Sequence, residues 1–156
     1  MIPPAVLAAF ADALPEGGAN VRAARSEDRE RIRRMLESDS EGWSSEDIDI
    51  VMARAQTTLG GPETFKWVLP VWVFRSMAEP AYGWMTVSEV LADKLDRAGF
   101  DLWPEAQRVT ILPMLADWLR ARETAFAEDE HAYDPADDAV FRSWLDARCS
   151  VASAVT

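Results

Sequence analysis

The stretch FKWVLPVWVFRSMAEP, residues 65–80, decides the fold. Phe65, Val68, Leu69, Trp72, Val73 and Met77 recur at i, i+3, i+4, i+7, i+8 and i+12, one stripe of a helix. Trp67, Val71, Phe74 and Ala78 form a second stripe at i, i+4, i+7 and i+11. A helix apolar on both stripes is buried all round rather than laid on a surface. Pro70 removes one helical N–H and presses on the carbonyl of Lys66, so the pattern predicts a kink, or two short helices abutting at Leu69–Pro70. The valines also permit a strand, but a central proline would confine it to a sheet edge.

Working outward, the neighbouring segments also read as helices. Ser44 or Ser45 caps a helix with Ile48, Val51, Met52, Ala55 and Leu59 on one face, stopped by Gly60-Gly61. Pro3-Pro4 opens a first helix with Leu7, Phe10, Ala11 and Leu14 aligned, ended by Pro15 and Gly17-Gly18. Between them, Arg22, Arg25, Arg29, Arg31, Arg33 and Arg34 interleave with Glu27, Asp28 and Glu30. With Ser26 as its cap and only Ile32, Met35 and Leu36 as apolar face, this segment predicts a peripheral helix carrying solvated salt bridges. On the C-terminal side, Thr86 and Glu89 have capping-box spacing ahead of Val87, Val90, Leu91 and Leu95, with Gly99 closing the helix. Pro104 opens a helix aligning Leu112, Leu115, Ala116 and Leu119, which Pro113 should kink. Asp134-Pro135 opens a last one with Val140, Phe141, Trp144 and Leu145, fraying from about residue 150. The fold class expected is all-α: an irregular helical bundle around a buried, Pro-kinked central helix, one domain over residues 1–156.

Composition narrows the function classes. A net charge of −11 and a pI near 4.5 repel nucleic acid and anionic membrane and attract a basic protein partner, although acidity also serves solubility alone. A single cysteine, Cys149, allows no internal disulfide and fits a reducing compartment. No run reaches the roughly 20 apolar residues of a membrane helix, and the N-terminus lacks a secretory pattern, so a cytoplasmic location is expected. Nucleophilic catalysis needs a base beside the nucleophile, and the chain offers one histidine, His131, and one cysteine. The carboxylates around His131 lack the register and glycine of a calcium loop and read as a solvated acidic segment. No enzyme, metal or cofactor is expected. Trp67, Trp72, Trp118 and Trp144 fall on apolar helical faces, whereas Trp43, Trp84 and Trp103 fall at loop–helix junctions. There an aromatic side chain either plugs the core edge or anchors a partner.

Three segments, WSSEDI (43–48), GPETFKWVLPVWV (61–73) and WPEAQ (103–107), resemble a family of small, acidic, uncharacterised bacterial proteins. The shared features are a Phe-x-aromatic-x-Leu-Pro core motif, here Phe65, Trp67, Leu69 and Pro70, and a later helix start at Pro104, Glu105 and Gln107. Trp103 stands where that family has a threonine cap. The resemblance supplies no catalytic residue and is similar to that of immunity or accessory proteins encoded beside bacterial toxins. With the acidity, it implies a binding protein of immunity type that neutralises a cationic toxin domain by occluding its active face. The candidate partner-binding residues are Glu128, Asp129, Glu130, Asp134, Asp137, Asp138, Trp43 and Trp84. The competing expectations are a structural or regulatory adaptor and a metal-dependent hydrolase built on the acidic segment.

Overall fold

The computed structural model describes residues 1–14, 21–78, 88–127 and 135–153. Among them the chain is all-α: α1 (Pro4–Ala9), α2 (Ser26–Leu36), α3 (Ser45–Arg54), α4 (Pro62–Ala78), α5 (Ser88–Arg97), α6 (Glu105–Phe126) and α7 (Ala139–Ser153). Single-turn 3-10 helices, Phe100–Leu102 and Pro135–Asp138, precede α6 and α7. The residues group into two compact units, Met1–Trp72 with Arg97–Gly99, and Val73–Asp96 with Phe100–Thr156.

The decisive stretch forms one helix. α4 runs through Pro70 without dividing at Leu69–Pro70. Six consecutive residues, 68–73, are buried, which for a helix means burial on every side. That burial outweighs the loss of one backbone donor at Pro70 and the poor helix propensity of the valines. Its flanks are less enclosed than the two stripes predict: Trp67, Phe74 and Met77 are half-buried and Ala78 is exposed.

In the first unit, the Ser44 hydroxyl accepts the Asp47 N–H at 3.1 Å and starts α3. Ile48, Val51, Met52, Ala55 and Leu59 are then all fully buried, as their spacing predicts, although the helix itself stops at Arg54. The turn that follows brings Leu59 into isolated bridges with Ala23 and Ala55. It closes at Gly60, whose φ of +61° suits glycine, and where a Cβ would lie 2.0 Å from Thr64 Oγ1. Two faces differ from expectation. α1 turns inward Ile2, Val6, Phe10 and Leu14, leaving Leu7 and Ala11 exposed. α2 takes Ser26 as its first residue rather than its cap, and buries Asp28 with Ile32 and Met35 while Leu36 is exposed.

In the second unit, α5 buries Ser88, Leu91, Ala92, Lys94 and Leu95, and Val90 points to solvent. α6 also continues through a proline, Pro113, and buries Ile111, Leu112, Leu115, Trp118 and Leu119. α7 extends to Ser153, past the point where fraying is expected, and buries Phe141, Trp144 and Leu145 but not Val140. Aromatic rings run in series through this unit. Trp103, Phe100, Trp144, Phe141 and Trp118 follow one another with centroids 5.0, 4.9, 5.9 and 5.5 Å apart, mostly tilted or edge-to-face as ring quadrupoles favour.

Candidate functional site

The acidic candidates divide. Glu128, Asp129, Glu130 and Asp134 lie outside the described residues, as do His131 and Trp84. Asp137 falls in the 3-10 helix before α7, with its side chain likewise outside the description. Asp138 is a correction. It has 0% exposure, and both carboxylate oxygens accept from Arg122 Nε, at 3.2 and 3.1 Å. It is an internal counter-ion, which a partner cannot touch. Trp43 is also buried rather than offered as an exposed anchor: its indole N–H donates to the Met35 carbonyl at 2.7 Å and its ring meets Trp67 edge-on at 4.7 Å.

The arginine-rich segment carries more than solvated pairs. Asp28 Oδ1 accepts from Arg31 Nη1 at 2.9 Å and from Arg54 Nη1 at 2.6 Å, with the aspartate wholly buried. Asp47 Oδ1 accepts from Arg31 Nε at 2.7 Å and Arg34 Nη2 at 2.8 Å. Arg31 thus bridges both carboxylates and ties α2 to α3. The outer pairs are solvated as the sequence suggests: Arg25 with Glu27, and Arg33 with Glu30 and Glu37, where the arginine also holds the Glu30 carboxyl below its usual range. The network is legible in retrospect. Asp28, Ile32 and Met35 sit at i, i+4 and i+7, which places an acid on the apolar face, where it must be paired.

The second unit also pairs its arginines with carboxylates, here nearer the surface. Arg148 reaches Asp101 at 2.9 Å and Asp96 at 3.1 Å while its guanidinium lies 3.9 Å from the Trp144 ring centroid. Arg142 pairs with Glu123 and Arg120 with Asp117. Both units therefore pair many of their arginines with their own carboxylates, some buried and some at the surface, within a chain of net charge −11.

The first unit also contains a cleft of about 220 Å³, lined by Leu7, Phe10, Ala11, Ser40, Trp43, Trp67, Pro70 and Val71. Three segments distant in sequence build it: α1 with the turn after it, the α2–α3 loop, and α4. Its walls are apolar apart from Ser40. Three exposed acids adjoin that lining in sequence: Asp12 next to Ala11, and Asp39 and Glu41 on either side of Ser40. Lys66, half-buried beside Trp67, brings one positive charge. Burial lowers its pKa from the ordinary lysine value, and Asp12 and Glu63 oppose the fall.

Among the described residues, no group of three or more His, Cys, Asp or Glu is placed to hold a metal ion, and no helix is long and apolar enough to cross a membrane. Set against known proteins, the chain matches no family model, no curated protein and no solved structure.

Proposed function

We propose that this chain is a binding protein of immunity type, which neutralises a cationic toxin domain in the cytoplasm by covering its active face. The observation that carries the reading is the disposition of charge. A chain of net charge −11 whose arginines are turned onto its own carboxylates presents a negative field to any approaching protein. Such a field raises the encounter rate with a basic partner by about 10–1,000-fold at low salt, and falls away as salt screens it. The acidic segment around residues 128–138 adds to that field, and the resemblance to toxin-neighbouring immunity proteins points the same way.

The test is capture from the native cell with the purified chain, followed by association kinetics with the captured protein at two salt concentrations. A basic partner whose toxic activity is abolished by stoichiometric chain, and whose on-rate drops steeply with salt, supports the reading. A partner without net positive charge, or one whose activity is untouched when saturated, overturns it and leaves the adaptor reading in its place.

A further inference from the structure

We infer that the cleft between α1, the α2–α3 loop and α4 is an anchor pocket, which receives one apolar side chain projecting from a basic segment of a protein partner. The inference rests on reading the chain as a binding protein, and it assigns the contact surface to residues none of which lies in the acidic segment.

Size comes first. At about 220 Å³ the cleft is smaller than the roughly 300–1,000 Å³ of sites that enclose small molecules, and suits a single side chain from leucine to phenylalanine. Such central, water-excluding pockets are where protein interfaces concentrate their energy. Chemistry comes next. Leu7 is 40% exposed at the mouth, beside exposed Ala11 and half-buried Trp67, so apolar surface faces water here at no benefit to the fold. The back wall is rigid: Trp43 is held by its bond to the Met35 carbonyl and by its edge contact with Trp67. A wall fixed before binding loses little entropy on binding.

Charge then selects the occupant. Among the residues next to the lining in sequence, Asp12, Asp39 and Glu41 outnumber Lys66, whose charge Asp12 partly offsets. An anchor flanked by lysine or arginine meets complementary carboxylates, whereas a phosphate-bearing base of similar size meets like charge. The structure therefore favours a basic protein segment over a nucleic acid strand, although Trp67 offers a surface on which a base could stack.

The test uses two capped synthetic peptides, each with two lysines on either side of a central residue, which is leucine in one and alanine in the other. Titrations are followed through the indole N–H resonances of the protein. The leucine peptide should bind about tenfold or more tightly than the alanine peptide, as burying the extra carbons predicts, and should move the Trp67 resonance most. Ala11→Phe and Ser40→Phe fill the cleft from two of its three segments at solvent-accessible positions. Each should abolish the leucine preference while leaving the salt-dependent attraction of both peptides, with circular dichroism confirming the fold. Equal affinities for the two peptides, a response centred on Trp144, preference retained in both filled variants, or displacement of the leucine peptide by a short single-stranded oligonucleotide would each overturn the assignment. The outcome is separable from that of the proposed function. A cationic toxin bound with unchanged rates by both filled variants leaves the function and removes the pocket, whereas leucine preference without any inhibited toxin does the reverse.

Discussion

Arg54 Nη1 stands 2.6 Å from Asp28 Oδ1, joining the last turn of α3 to the first turn of α2 around a carboxylate with no solvent exposure. Arg31 shares the same oxygen, while Oδ2 has no hydrogen-bond partner. Asp28→Ala therefore removes the buried carboxylate that Arg31 and Arg54 share, leaving Arg31 to Asp47 and Arg54 to its long pair with Glu27, and we expect a loss of about 3–5 kcal/mol in urea unfolding. Glu27→Ala removes only the long, exposed pairs at 3.5 Å and should change stability by less than about 0.5 kcal/mol. Similar losses for the two would mean that the network is no more than surface decoration.

Trp72 donates its indole N–H to Asp49 Oδ1 at 3.2 Å. Burial raises the Asp49 carboxyl above the ordinary aspartate value, and the indole donor offsets part of that rise. Folded Asp49 holds its proton more tightly than the unfolded chain does, so its ionisation at neutral pH costs stability. This cost disappears as pH falls through the raised value towards the ordinary one. Asp49→Asn keeps an acceptor for Trp72 and should be the more stable protein at pH 7, its advantage shrinking to nothing below about pH 4. Stability curves that stay parallel across this range would refute the linkage.

Trp72→Ala should cost about 3–5 kcal/mol, as removal of a large buried side chain from the middle of α4. A loss below about 1 kcal/mol on that scale would show that α4 is not the core element its burial indicates.

Gly60→Ala should destabilise by about 1–3 kcal/mol from the left-handed backbone alone, and further from the clash with Thr64. Gly99 has the same sign of φ but open space around it, so Gly99→Ala carries the backbone cost only. Thermal melts of the two variants separate strain from collision, and equal shifts would mean that Thr64 moves aside.

The acids should separate by role. Reversing Glu128, Asp129 and Glu130 to lysine should slow association with a cationic partner, most at low salt, and barely alter stability. Asp138→Ala should do the opposite, costing about 3 kcal/mol or more by removing the buried carboxylate that faces Arg122 and leaving the on-rate unchanged. An unchanged on-rate in the triple variant would move the electrostatic docking surface away from that segment.

Helix positions were readable because burial follows the 3.6-residue period, and α3 shows it most clearly. At the N-terminus the period aligns Leu7, Phe10, Ala11 and Leu14, of which Phe10 and Leu14 are buried and Leu7 and Ala11 are not, because α1 stops at Ala9 and Val6 turns inward in Leu7's place. Val90 and Val140 failed similarly, since an apolar side chain can remain at the surface at little cost. Asp28 and Asp138 sit among many acids, so the density of charge hides them, and helical position alone sets Asp28 on an apolar face. The cleft was not legible at all. Its walls come from residues about sixty positions apart, and no local pattern encodes that meeting.

Lys66 and Lys94 are the only side-chain amines in the sequence, and Lys94 is buried. Lys66 remains half-accessible at the cleft, and its lowered pKa leaves more of it as the reactive neutral amine at a given pH. Once the N-terminal amine is blocked, the near-absence of lysine makes this protein open to site-directed chemical tagging without any substitution. An acylated Lys66 would carry a fluorophore or crosslinker on the residue next to Trp67 of the cleft, where it reports an arriving partner by quenching or captures it covalently.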